Sequence, residues 1–373
     1  MSSLRRMNYL PPAGGPWEEE APGALGLDAT ALAGAVAFAE RHPTPWEHDL
    51  QKVIAAGLFE EGQWNEIIGP TRPRGDSNGL ILRHGYITAH WGDTRRVDMT
   101  FSVAKSYLSI LAGLAHADGL IADLDEPVGR TVHDGGFEGA HNGAITWRHL
   151  LQQTSEWEGT LWDKPDLIDR NRSVSFEGRS VKKGTFRPLQ PPGSYWEYND
   201  VRVNRFSLAL LRRFGRALPV VFKERIMDPI GASNDWEWHG YSNSYVEIDG
   251  KRVESVSGGG HWGGGVFIHA EDQARVGLLM SRRGRWGERQ LLPEDWIDLS
   301  TTPRAFNRRY GFLWWLNADR TLFPSATASS YFAIGAGDNI TWIDPEHDLV
   351  AVLRWIDRGA MDGFIARVME AMR

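Results

Sequence analysis

Residues 101–121 read FSVAKSYLSILAGLAHADGLI, a run that is small and apolar on nearly every side. That pattern belongs to a helix buried in the middle of a protein, not to one laid on its surface. At its mouth, Ser102-Val103-Ala104-Lys105 sets a hydroxyl and an amine at positions i and i+3, which share one face of a helix, so the two side chains can touch. A serine hydroxyl is a weak nucleophile at neutral pH and needs a base beside it. A lysine can serve once burial lowers its ordinary pKa of about 10.4. Ser102 is therefore a candidate acyl-enzyme nucleophile. The competing reading makes it a helix N-cap, the commoner task of a serine in that place.

Outward from this helix, residues 29–58 show apolar positions at helical spacing, and GLILRHGYITAHWGD reads as two short strands turning at His84-Gly85. From about 120 to 250 the strand signal fades into helical pieces joined by long Pro/Gly/Asp loops. Then GGVFIHAEDQARVGLLMSRR predicts a strand and a helix, ITWIDPEHDLVAVLRWID two strands turning at Asp344-Pro345, and the segment from about 360 a terminal helix. The expected architecture is α+β: an antiparallel sheet flanked by N- and C-terminal helices, built from 1–120 and 250–373, with a mainly helical domain inserted at 121–249. A cleft between two such parts is a usual home for a ligand.

Composition narrows the choices. A net charge of -7 over 373 residues leaves no basic footprint, so nucleic acid is not an expected partner. No stretch approaches the roughly 20 apolar residues that span a bilayer. Prolines interrupt MSSLRRMNYLPPAGGP before any apolar run develops, so no secretory signal is visible and the expected location is cytoplasmic. The absence of cysteine excludes disulfides, thiolate metal sites and cysteine nucleophiles. The histidines are scattered without metal-binding spacing, and no metal or cofactor is expected. The oligomeric state is left open. The 17 tryptophans are numerous enough that some should line an apolar cleft.

Two other motifs compete. Gly75-Asp76-Ser77-Asn78-Gly79 matches G-x-S-x-G, but a nucleophile elbow needs a strand before it and a helix after it, whereas here a loop precedes and a strand follows. Ser77 reads as a turn residue. Gly258-Gly259-Gly260-His261-Trp262-Gly263 fits G-x-G-x-x-G without lying between a strand and a helix, so dinucleotide binding is not expected. More useful is Pro192-Gly193-Ser194-Tyr195-Trp196-Glu197-Tyr198-Asn199-Asp200, a turn leading to a tyrosine and a carboxylate. It reads either as the approach to a helix over 201–213 with Asp200 as N-cap, or as the segment that closes Tyr198 on Ser102.

An S-x-x-K on a buried helix, followed roughly a hundred residues later by a Pro-Gly turn and a tyrosine, resembles the serine β-lactamase and penicillin-binding-protein superfamily. The likeness is strongest to class C β-lactamases, family VIII carboxylesterases and 6-aminohexanoate-dimer hydrolases. ITWRHLLQQTSEWEG, GGGVFIHAEDQARVGLLM and AIGAGDNITWIDPEHDLVAVL extend the resemblance over about 80–355. It implies Ser102 as nucleophile, Lys105 as its proton partner, Tyr198 as the general base, and an oxyanion hole from the backbone N–H groups of Ser102 and Ala336, after Gly335.

The chain departs from the family pattern twice. The usual Y-x-N is Tyr198-Asn199-Asp200 here, and an ionised Asp accepts hydrogen bonds but cannot donate one to a substrate amide. The K-T-G or H-x-G motif aligns with Ala333-Ile334-Gly335, with no cation at its first position to hold a β-lactam carboxylate. The resulting expectation is a serine carboxylesterase for small to medium acyl esters. Asp200, Gly335 and some of Trp157, Trp162, Trp196 and Trp262 would contact substrate. The alternatives are an amidase in which Asp200 or Glu197 faces a substrate ammonium, a weak β-lactamase, and a catalytically silent binding protein on the same fold.

Overall fold

The computed structural model of the chain describes residues 9–174 and 181–372. The first eight residues of the stretch read for a secretory signal lie outside it. The elements that position the site, in chain order, are α1 (Ala29–Glu40), β1 (Asn78–Arg83), β2 (Tyr86–Trp91), β3 (Asp98–Met99), α2 (Val103–Ala117), α3 (Asp200–Phe214), β4 (Glu237–Ile248), β5 (Lys251–Val256), β6 (Gly265–Ile268), α4 (Ala270–Ser281), β7 (Trp315–Leu316), β8 (Tyr331–Gly335), β9 (Asn339–Asp344), β10 (Leu349–Arg354) and α5 (Met361–Glu370).

The main sheet runs β7-β8-β9-β10-β1-β2, antiparallel throughout, so its strands come from both ends of the chain. Every residue of β9 and β10 is buried, as in strands covered on both faces. The helix α4 lies across this sheet, and Gly277 permits the close approach: a Cβ there would meet Val350 at 2.7 Å and Thr341 at 2.8 Å. At the other end α1 packs on α5, with Phe364 5.8 Å from Trp91 of β2. This is the α+β architecture read from the sequence.

The second sheet was not expected. It runs β3-β6-β4-β5, and its longest strand, β4, falls in the region read as mainly helical. The burial of β4 alternates only irregularly, and its pairing with β5 shifts register between Gly240 and Tyr245, so the period-2 pattern that betrays a strand is broken in the sequence. Arg354 joins the two sheets. Fully buried, it donates to the Met99 and Ile268 carbonyls at 3.1 and 2.8 Å and to Asn339 Oδ1 at 2.7 Å.

Helix α2 is buried from Val103 to Ala115, as its composition required. The helix α3 begins one residue earlier than expected: Asn199, not Asp200, is its N-cap, accepting from the Arg202 N–H at 3.1 Å. That one-residue difference frees the Asp200 side chain for other work. Ser77 lies just before β1, where its hydroxyl accepts from Trp91 Nε1, in keeping with a turn residue.

Candidate functional site

Ser102 stands at a sharp corner. The short β3 ends at Met99, the Thr100 N–H holds the Val266 carbonyl at 2.9 Å, and Phe101 takes a left-handed φ of 50° before α2 starts. That conformation costs a non-glycine residue about 1–3 kcal/mol, borne here by the packing of Phe101 against Trp46, Phe59 and Trp355. Two glycines close on the corner. A Cβ on Gly259 would lie 1.8 Å from the Phe101 oxygen, and one on Gly335 would lie 1.8 Å from the Thr100 oxygen and 3.1 Å from the Ser102 nitrogen. Only bare backbone fits on either side of this turn.

Although Ser102 occupies the N-cap position, its side chain caps nothing. The hydroxyl lies 3.4 Å from the Gly259 carbonyl, and Lys105 Nζ donates to Oγ at 2.7 Å. Lys105 is 1% exposed, and its ammonium is also 3.2 Å from the Gly258 carbonyl and 2.8 Å from Asp200 Oδ1. Ser102 and Gly258 accept hydrogen bonds from it, and Asp200 supplies a counter-charge beside it.

Asp200 organises the deep side of the site. Its second oxygen receives Arg172 at 3.1 Å and His261 Nε2 at 3.0 Å, and its own N–H donates to Asp169 Oδ2 at 2.7 Å. Burial would push this carboxyl up, but Arg172, Lys105 and His261 overcome that and hold it well below the usual carboxylate range. Behind it, His261 Nδ1 lies 2.6 Å from Glu60, and Lys183 bonds Glu60 and reaches Asp169 at 3.1 Å. Asp169 is likewise held low against its burial, chiefly by Lys183, Arg172 and His261. Glu60, Asp169 and His261 place ligand atoms within 4.8 Å of one another, a spacing that could hold a metal ion; the Lys183 ammonium already supplies the cation there.

A cleft of about 470 Å3 opens above Ser102. Its walls are Trp46, Leu58, Phe59, Tyr198, Trp315 and Ile334, with Arg172, Lys183, His261 and the turn Ala336–Asp338 among the polar lining. Tyr198 is wedged by Trp315, stacked at 5.7 Å, and by Tyr310 edge-on at 6.1 Å. Its hydroxyl makes no hydrogen bond among the described residues. Of the two contacts to Ser102 that the sequence anticipates, the lysine one is made. The N–H groups of Ser102 and of Ala336, the first residue after β8, likewise have no protein acceptor among the described residues.

Several residues read as substrate contacts lie elsewhere. Asp200 is 1% exposed, is paired with Lys105, Arg172 and His261, and is not among the residues that line the cleft. Glu197 is fully buried against Arg187 and the Asn171 N–H and cannot face an ammonium. Trp157 and Trp162 line a separate depression with Asp134 and Arg205. Trp196 is packed behind Tyr198, and Trp262 is buried with its Nε1 on the Trp64 carbonyl at 2.7 Å. Gly335 does line the cleft, together with Trp46 and Trp315, which sequence reasoning did not single out. Neither sits in a motif, so composition gave no reason to prefer them. His261 and Arg172 were missed as well. The one signal available for His261 was its glycine-rich run, whose backbone touches both Ser102 and Lys105.

The β-lactamase family profile matches residues 89–358. No curated protein sequence matches. Among solved structures, EstCE1, a hydrolase with promiscuous acyltransferase activity, superposes with a TM-score of 0.56 at 17% identity, over 92% of this chain and 98% of its own. A penicillin-binding protein homologue from Caulobacter crescentus gives 0.55 at 16%, over 88% and 97%. A β-lactamase from Mycobacterium bovis gives 0.52 at 17%, over 78% and 92%. At such identities the likeness is one of fold. Among the described residues, no helix is long and apolar enough to cross a membrane.

Proposed function

The chain belongs to the β-lactamase family of serine hydrolases, and from that premise we propose that it is a carboxylesterase working through an acyl-enzyme on Ser102. The observation that carries this reading is the 2.7 Å contact between Lys105 Nζ and Ser102 Oγ at the floor of an aromatic cleft. Lys105 holds the hydroxyl and stabilises negative charge, and Tyr198 takes the proton. Ser102 Oγ then attacks the ester carbonyl. The oxyanion is received by the two unclaimed N–H groups of Ser102 and Ala336. Tyr198 returns its proton to the departing alkoxide, and water, deprotonated by the same residue, cleaves the acyl-enzyme.

Esters are favoured over amides by what lines the cleft. Among the described residues, no Asn or Gln side chain does, and the Asp200 carboxylate is committed to Lys105, Arg172 and His261. The cleft therefore lacks the side-chain amide that would donate to an amide carbonyl. β-Lactams are disfavoured for a related reason: Arg172, Lys183 and Arg358 reach the cleft, but each is already paired with a carboxylate. Hydrolysis of p-nitrophenyl butyrate together with fluorophosphonate labelling mapped to Ser102 tests the proposal. Unlabelled protein that turns over neither esters nor amides would revive a silent binding role, and a strong preference for amino-bearing amides would favour the amidase.

A further inference from the structure

A second cavity, of about 440 Å3, lies beside the cleft above Ser102, and Leu58, Phe59 and Lys183 line both. These three residues form the partition. Lys183 Nζ donates to the Phe59 carbonyl at 3.0 Å as well as to Glu60, and the Phe59 ring stacks on His261 at 4.9 Å, so the wall between the two spaces is held from both ends. Leu58 is its exposed member. We propose that this second cavity is the far subsite of the active site: it takes the outer methylene groups of an acyl chain whose ester carbon lies at Ser102, which makes esters of medium to long fatty acids the favoured substrates. The inference rests on the proposed acyl-enzyme chemistry.

The lining of the cavity selects for hydrocarbon. Beyond the partition its walls are Trp64, Pro165, Leu167 and Ile168. The two carboxylates that line it each have an ammonium of their own: Glu60 is paired with Lys183 and receives His261, and Glu61 meets Lys182 at 2.9 Å where both side chains are exposed. A charged ligand would have to break one of these pairs, whereas an alkyl chain displaces only water. The chain that enters belongs to the acyl half of the ester. Tyr198, which returns its proton to the departing alkoxide, is flanked by Trp315 and Tyr310. Phe59 packs instead with Trp46 and with Phe101, the residue before Ser102. The alcohol therefore leaves on the tyrosine side, and the acyl chain faces Phe59 and the cavity behind it.

The test follows kcat/KM for p-nitrophenyl butyrate and p-nitrophenyl decanoate, below their micellar concentrations, in wild type, L167W and W64A. Wild type should favour decanoate by about tenfold or more, since burying two methylene groups is already worth about that factor. L167W fills the cavity and W64A removes one of its walls, so each should lower the decanoate-to-butyrate ratio about tenfold; if one does not fold, the other is read alone. A wild type that prefers butyrate, or a ratio that neither variant moves, overturns the proposal. Decyl and ethyl butyrate carry the same comparison to the alcohol half. If L167W lowers that ratio and spares the acyl one, the assignment to the acyl chain is overturned. Calorimetric titration with decanoate, and with butyrate as its charge-matched control, needs no turnover: decanoate should bind wild type at least tenfold more tightly, and L167W should remove most of the gap. It therefore tests the cavity even if esterase activity and Ser102 labelling fail, a failure that counts against the proposed function alone.

Discussion

Two buried ionic clusters sit a few residues apart in sequence and are built from the same chemistry for different ends. Around Glu156, three carboxylates meet three guanidinium groups. Glu156 takes both arms of Arg187 at 2.6 and 2.7 Å and Arg202 at 2.6 Å, Glu197 takes Arg187, and Asp166 takes Arg170 and Arg202. All contacts are close and several are bidentate, and none of these groups lines the cleft above Ser102. Around Asp200, Glu60, Asp169 and Asp200 meet Lys105, Arg172 and Lys183, and His261 is an additional group lodged between two carboxylates. The cluster that closes on itself fixes the fold, whereas the one that opens on the cleft keeps charge available for a reaction.

That contrast can be broken most forcefully at the nucleophile. S102A should lower kcat on p-nitrophenyl butyrate by about 10^4-fold or more, while its melting temperature stays close to that of wild type. D200N comes next, since it strips the shared counter-charge from Lys105, Arg172 and His261. Its kcat should fall about 100-fold, with some loss of stability, as read by steady-state kinetics beside a thermal melt. In the other cluster the signature should invert. E156Q should lose roughly 3–5 kcal/mol in urea unfolding, because it leaves buried guanidinium groups short of an anion, yet the folded fraction should keep its kcat. A large kcat loss in folded E156Q would erase the distinction.

Acid sharpens the same comparison. Burial opposes ionisation of Glu156, but Arg187, Arg202 and the Gln190 N–H bring its carboxyl down to about 2 from an ordinary 4.5. A carboxylate lowered on folding contributes stability that is present above its unfolded value and is lost as pH falls toward its folded value. Unfolding free energy should therefore decline between about pH 4.5 and 2, and less steeply in E156Q. Smaller effects belong to the tryptophans. W46A, in the cleft wall, should raise KM for apolar esters about tenfold, and W162A should leave kcat/KM unchanged.

Legibility in the sequence followed the range of the interaction. Ser102 and Lys105 are one helical turn apart, and the apolar character of α2 announced their burial. The strands at either end of the chain alternated or ran apolar clearly enough to give the main sheet. The strand β4 was missed because its register shift and irregular burial hide the period of a strand. Asp200 was read as a substrate contact and as a cap, and a one-residue change in where α3 begins left its side chain free to pair with Lys105. The tryptophans show the limit most plainly: some of Trp157, Trp162, Trp196 and Trp262 were expected in the cleft wall, whereas Trp46 and Trp315 line it.

By itself, then, the sequence determined the local pieces: a buried helix opened by a serine and a lysine on one face, a tyrosine before a second helix, and a glycine-rich strand end. Helical geometry and apolar periodicity act over a few residues and need no knowledge of the rest of the chain. Only the tertiary structure decided that Asp200 turns inward, that Arg172 and His261 join it, and which aromatic side chains face the cleft. Those choices depend on charges and rings far apart in sequence, brought together once burial makes an unpartnered carboxylate costly.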